Sequence, residues 1–239
     1  MRLTTLMFLL LSSIILSAQT DLAIAINGSG SINNAEFQLQ KDAIANCVNN
    51  MPRDGSVGFS LIQYASNSTI IHIPYTLIDA TTDIAAITAS INGINQISGL
   101  TNSGDGIIEA ANEILNNGTP GSNKVVVLAT DGETSSGTNF STAVSTIQAA
   151  GINEFGVIVI DQMSVLTFYS PFPFGGGTAE FADDFAAFNA VLEQYCQRIL
   201  RPMVRNAIPT MGEWGLISLS MLLMIVGVVR VRENQLGLT

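Results

Sequence analysis

Apolar and polar positions along the middle of the chain form blocks that predict strands and helices in turn. Continuous apolar runs, typical of strands buried on both faces, occupy residues 22–26, 57–64, 124–130 and 154–160. Helical spacing marks about 34–49, 83–94, 105–115, 139–150 and 181–200. A hairpin-like turn adds a short strand at 69–73. This alternation predicts a doubly wound α/β fold, with a mostly parallel sheet and helices on both faces.

The N-terminal end carries the pattern of a secretory signal. Arg2 supplies the positive charge, residues 6–16 are apolar, and Leu16, Ser17 and Ala18 form a small-residue exit. A first transmembrane helix is the alternative, but the apolar run is short for one. We therefore expect residues 1–18 to be a signal peptide, with cleavage before Gln19.

A second uncharged apolar run, residues 214–229, lies near the C-terminus. As a helix its 16 residues would span about 24 Å, slightly less than the ~30 Å core of a bilayer. Trp214 suits one membrane interface, and Arg230 and Arg232 suit the other, on the cytoplasmic side. A buried core helix is the alternative. We expect a single membrane-spanning helix.

The residues around the start of this run carry a recognisable pattern: Ile208, Pro209, Thr210, Trp214 and Gly215. With the apolar run and the basic end, they resemble the IPTL-type C-terminal sorting signals of bacterial envelope proteins. The resemblance implies an exosortase-like sorting peptidase as a partner, and a location at the cell envelope or surface. The extension 233–239 is longer than this resemblance leads us to expect. The chain thus divides into 1–18, an exported domain at 19–204, and a sorting tail at 205–239.

The exported part, residues 19–204, is acidic, with five basic residues against 17 acidic ones. Nucleic acid needs a basic surface and is therefore excluded as a partner. Only 12% of the whole chain is charged, which excludes a disordered protein. Cys47 and Cys196 are the only cysteines, and an even count in an exported domain favours a disulfide between the first and last predicted helices. Two buried free thiols are the alternative.

Three polar segments follow predicted elements in places where ligands bind to open α/β sheets. They contribute five side chains: Asn27, Ser29, Ser31, Thr101 and Asp131. One carboxylate, one amide oxygen and three hydroxyls are hard donors, which suit Mg²⁺, Mn²⁺ or Ca²⁺ better than zinc or copper. Each segment alone is common in loops, so only the ordered set indicates a site.

In order and spacing, these segments look like the metal-ion-dependent adhesion site of von Willebrand factor type A domains. The similarity extends over nearly all of 19–204, and it implies that Ser29, Ser31, Thr101 and Asp131 hold a divalent cation that bridges to a partner carboxylate. The first aspartate of the family pattern is Asn27 here, which could orient a metal-bound water but supplies no charge. We expect weakened cation binding, with a metal-free pseudo-site as the alternative.

Two nearby acids, Glu133 and Asp161, are candidates to compensate for the missing charge. Enzyme patterns do not occur: the sequence has no G-x-S-x-G elbow, P-loop or G-x-G-x-x-G fingerprint. The only histidine, His72, lies within an apolar strand. A hydrolase that uses Ser29 or Ser31 would therefore lack an evident base, and we expect no catalytic activity.

The sequence predicts an exported, envelope-anchored binding or adhesion module that recognises a protein or a surface polymer. A metal-independent structural or assembly protein of the envelope is the alternative, and Asn27 is the feature that favours it. The loop at 169–178, rich in proline and glycine, is predicted to be flexible and has no assigned role.

Overall fold

A computed structural model describes residues 19–66 and 68–200, which form one sheet and six helices. The strands are β1 (Thr20–Asn27), β2 (Val57–Ala65), β3 (Ser68–Ile78), β4 (Asn123–Thr130), β5 (Glu154–Ile160) and β6 (Ala179–Ala182). The helices are α1 (Asn34–Asn49), α2 (Ile84–Asn92), α3 (Ser103–Asn117), α4 (Phe140–Ala150), α5 (Met163–Tyr169) and α6 (Phe185–Leu200).

The predicted signal peptide (1–18), the sorting residues and the predicted span (214–229) with Arg230 and Arg232 lie outside the described residues. Among the helices at 19–66 and 68–200, none combines the length and the apolar character needed to cross a membrane. The membrane-spanning helix therefore stays a prediction.

The sheet has the order β3-β2-β1-β4-β5-β6. All neighbouring pairs are parallel except β2 and β3, which form the predicted antiparallel hairpin. The strand order reverses between β1 and β4, so the chain leaves these two central strands toward opposite sides of the sheet. In open α/β sheets, ligands bind beyond the carboxyl ends of the strands at such a switch point.

The strands are continuous apolar runs because both faces of the sheet are covered. On β1, Leu22, Ile24 and Ile26 face one side, where α1, α2 and α6 pack. Ala23 and Ala25 face the other side, where α3, α4 and α5 pack. The predicted doubly wound arrangement is confirmed.

The first helix packs one face against the sheet. Phe37, Lys41, Ile44 and Val48 are all buried. Lys41 follows the apolar face with its stem, and its Nζ donates hydrogen bonds to the carbonyl oxygens of residues 92 and 94. Cys47, on the same helix, forms a disulfide with Cys196 on α6, so the predicted bridge is confirmed.

The segment after β5 differs from the prediction. The loop expected at 169–178 follows an unpredicted helix, α5, and pairs with the sheet through two backbone hydrogen bonds between Phe155 and Phe174. The last helix was expected from residue 181, but Phe181 and Ala182 belong to β6 and pair with β5. Asp184 marks the true start of α6, because its side chain accepts a hydrogen bond from the backbone N–H of residue 187.

Candidate functional site

The carboxyl ends of β1 and β4 bring the predicted site residues together. We define the carboxyl edge as residues 27–33, 98–103, 131–136 and 161–163, the loops beyond the strand ends. Asn27 is the last residue of β1, and Asp131 directly follows β4, its parallel neighbour. Their side chains meet, with Asn27 Nδ2 donating a hydrogen bond of 2.5 Å to Asp131 Oδ1.

The other end of the Asn27 amide is also engaged. The backbone N–H of Ser29 donates to Asn27 Oδ1 at 2.9 Å, and the hydroxyls of Ser29 and Ser31 lie 2.9 Å apart. This loop then leads directly into α1, which Asn33 caps with its side chain. Gly28 in this loop packs against the side chain of Gln63, with which a Cβ at this position would collide.

Most of the site lies below the surface. The exposed fractions are 0% for Asn27, 1% for Ser29, 8% for Thr101 and 4% for Asp131, whereas Ser31 is exposed. Burial raises the pKa of Asp131 above its usual value, although hydrogen bonds from Ser31 and Asn27 act in the opposite direction.

The acidic neighbour that raises the pKa of Asp131 further is Glu36, in the first turn of α1, rather than Glu133 or Asp161. Compensation by Glu133 or Asp161 stays a prediction. Across 19–66 and 68–200, no three His, Cys, Asp or Glu side chains cluster closely enough to hold a metal ion.

The backbone of Thr101 connects its loop to the loop after β4. Its carbonyl oxygen accepts hydrogen bonds from the N–H groups of Ser135 and Ser136, at 2.8 and 3.1 Å. Tyr169 also contacts the loop after β4, because its hydroxyl donates to the carbonyl of Gly132 at 3.1 Å. The loops that carry Thr101 and Asp131 are thus held together.

Two glutamines that the sequence did not single out hold the loop after β1. Gln96 Nε2 donates to the carbonyl oxygens of Ser29 and Ile32, at 2.7 and 2.8 Å. Gln40, fully buried on α1, donates to the carbonyl of Asn27 at 3.2 Å. No local pattern marks either residue, since the Gln40 contact depends on the packing of α1 and the Gln96 contact on the path of the segment after α2.

Backbone strain is concentrated at the same end of the sheet. Within the described part of the chain, three non-glycine residues have a left-handed backbone: Ser66, Ser98 and Asp161, with φ of 50°, 66° and 68°. Ser66 follows β2, Ser98 precedes the Thr101 loop, and Asp161 follows β5. Such conformations cost roughly 1–3 kcal/mol each and cluster at functional sites.

The site residues have the oxygen atoms that a divalent cation prefers, but these atoms are not arranged to bind one. Its side chains offer oxygens, yet Asn27 directs an N–H donor at an oxygen of Asp131, the one anionic ligand. The amide oxygen, expected to orient a metal-bound water, accepts the N–H of Ser29 instead. The arrangement therefore does not fit the cation of the family pattern, and the role of these five residues as ligands stays a prediction.

The surface of the carboxyl edge is apolar and acidic. Leu100 and Met163 are 58% and 57% exposed, more than any other large hydrophobic side chain in the described ranges. The edge contains Asp131, Glu133 and Asp161 but no lysine or arginine.

Comparison with known proteins identifies two matching families. The model of the von Willebrand factor type A domain matches residues 21–166, and that of the IPTL-CTERM motif matches residues 206–233. Human integrin alpha-E is 28% identical over 151 residues, which are 61% of this chain and 12% of the integrin. Mouse integrin alpha-M is 29% identical over 118 residues, 48% of this chain and 10% of the integrin. The chain thus spans about a tenth of the length of these relatives.

Solved structures share the fold. Proximal thread matrix protein 1 from the mussel byssus has a TM-score of 0.64 at 20% identity, over 77% of this chain and 49% of its own. A structure of that protein with a zinc-occupied MIDAS motif has a TM-score of 0.59 at 19% identity, over 77% and 48%. The pilus adhesin SpaC from Lactobacillus rhamnosus GG has a TM-score of 0.64 at 16% identity, over 76% and 30%.

Proposed function

We propose that the chain, which belongs to the von Willebrand factor type A domain family, binds a partner through its carboxyl edge. The observation that carries the proposal is the convergence of three loops on the buried Asn27–Asp131 pair, with Leu100 and Met163 exposed around it. Rigidly held loops with exposed apolar side chains are typical of binding surfaces.

The partner we propose is a protein or a surface polymer. Support comes from the kinds of protein that share the domain, since integrins are among the relatives and a pilus adhesin is among the structures. We assign no catalytic activity, because His72 pairs with Gln63 Oε1 at 3.1 Å rather than with Ser29 or Ser31.

The place of action we propose is the cell envelope or surface of a bacterium. The IPTL-CTERM match at 206–233 supports C-terminal sorting. We propose that residues 1–18 direct export, that 214–229 anchor the chain in the membrane before Arg230 and Arg232, and that a sorting peptidase handles this tail.

The proposal predicts that Asp131→Ala removes binding. Alanine deletes the acceptor for Asn27 Nδ2, so the loop after β1 loses its tie to β4 and the edge loses its shape. We expect at least about a tenfold loss of affinity, equivalent to ~1.4 kcal/mol. The measurement is binding of labelled purified chain to an array of purified envelope proteins and surface polysaccharides.

The matched control for this experiment is Asp42→Ala. Asp42 is exposed on α1, outside the carboxyl edge, and its replacement removes the same charge. Array binding that is equal for the native chain and Asp131→Ala would contradict the proposal.

A second candidate is a structural or assembly protein of the envelope that needs no metal. Ile70 and Ile71 favour it, because they are 41% and 36% exposed on β3, the edge strand of the sheet. Such a protein would associate with its own copies through this edge strand. Sedimentation velocity separates the candidates, since an assembly protein forms oligomers and a binding module stays monomeric.

A further inference from the structure

We propose that the amide of Asn27 takes the place of the cation in this domain, so that the carboxyl edge binds its partner without a divalent ion. The inference rests on the proposed function, which supplies the partner. Its chemistry comes from the geometry of the site. It addresses the residue in which the sequence departs from the family pattern.

The orientation of the Asn27 amide is fixed at both ends. Its Oδ1 lies 2.9 Å from the backbone nitrogen of Ser29, which carries a hydrogen and needs an acceptor. Its Nδ2 lies 2.5 Å from Asp131 Oδ1, which is an acceptor. Rotating the amide by 180° would place donor against donor and oxygen against oxygen. One rotamer is therefore strongly favoured, and it directs an N–H at Asp131.

This hydrogen bond stabilises the negative charge of Asp131, as the cation of the family pattern would. The carboxylate is only 4% exposed, and a buried charge without a partner is costly. A charge-assisted hydrogen bond from the amide offsets part of this cost. The site is closed by hydrogen bonds that connect β1 to β4.

The closed site also changes which partner groups can dock. A bridging cation would attract a carboxylate of the partner, but the carboxyl edge carries Asp131, Glu133 and Asp161 and no lysine or arginine. Glu36, in the first turn of α1, adds a negative charge close enough to act on Asp131. Like charges across an interface disfavour a partner. Acidic partner groups are therefore repelled, and docking depends on contacts with Leu100 and Met163.

The test compares the native full-length chain with Asn27→Asp in the presence of Mg²⁺, Mn²⁺ or Ca²⁺. For the native chain we expect no saturable heat in calorimetric titrations and the same Tm with EDTA as with Mg²⁺. In Asn27→Asp one carboxylate oxygen still accepts the Ser29 N–H, while the other faces Asp131. We expect this variant to gain saturable Mg²⁺ binding and a Tm that EDTA lowers.

The matched control is Asn189→Asp, which adds the same charge on α6 and keeps the oxygen that accepts a hydrogen bond from Asn46. We expect its Tm to be independent of Mg²⁺. Saturable cation binding by the native chain would overturn the inference, and so would an Asn27→Asp variant that folds but binds no cation.

Two native-chain measurements keep the inference testable if Asn27→Asp does not fold. One is the titration of the native chain, and the other is its array binding with and without EDTA, which we expect to be equal. Array binding that EDTA removes would overturn the inference. Absence of all array binding would contradict the proposed function instead, while the titration would still report on Asn27.

Discussion

Replacing Cys47 and Cys196 together by alanine is expected to lower the free energy of unfolding by about 3–5 kcal/mol. The bridge joins residues 149 positions apart and so restricts the unfolded chain over most of the domain. It also ties α6 to α1, the helix that continues from the loop carrying Ser29 and Ser31. The loss should therefore appear in the stability of the whole domain.

Urea unfolding at equilibrium, monitored by circular dichroism, measures this loss. The native chain should lose a similar amount when a reductant is added before unfolding, whereas the double variant should not respond to the reductant. A native chain and a double variant with the same midpoint in urea would show that the bridge contributes nothing to stability.

Phe140→Ala is expected to cost a similar amount, about 3–5 kcal/mol. Phe140 is 2% exposed at the start of α4, and its ring centre lies 4.7 Å from that of Tyr169 and 5.1 Å from that of Phe172. The rings of Phe155 and Phe168 complete the group at 6.2 Å. Removing the central ring leaves a cavity between α4, α5 and β5.

The matched control is Phe181→Ala, at a half-buried position on β6. Because its ring is less enclosed, we expect this variant to lose less than half as much stability as Phe140→Ala in the same urea measurement. Equal losses would contradict the central place that we assign to Phe140.

The buried strands could be predicted from the sequence, but the segment that carries most of the aromatic group could not. The buried strands could be predicted because each is a continuous apolar run, as in 124–130. The segment from Met163 to Ala182 could not, because its short helix and four-residue strand have no periodic pattern of their own. Phe168, Phe172 and Phe174 are ordered by the rings and backbone that they contact, and those contacts come from distant parts of the chain.

The candidate site, too, could be predicted only in part from the sequence. The positions of Asn27 and Asp131 at neighbouring strand ends followed from the order of the segments, and the structure brings them together. The direction of the Asn27 amide did not follow, because it depends on the N–H of Ser29 across a loop. Glu36, Gln40 and Gln96 were missed because they reach the site only through the packing of α1 and of the segment after α2.

A pair of substitutions distinguishes the carboxyl edge, where we propose that the partner binds, from the rest of the surface. Leu100→Glu changes the most exposed apolar side chain of that edge, and Leu77→Glu makes the same change at the far end of β3, where Leu77 is 39% exposed. In array binding we expect Leu100→Glu to lose at least about tenfold in affinity, ~1.4 kcal/mol, and Leu77→Glu to match the native chain. Native binding by Leu100→Glu, or an equal loss in both variants, would show that the partner does not bind at the carboxyl edge.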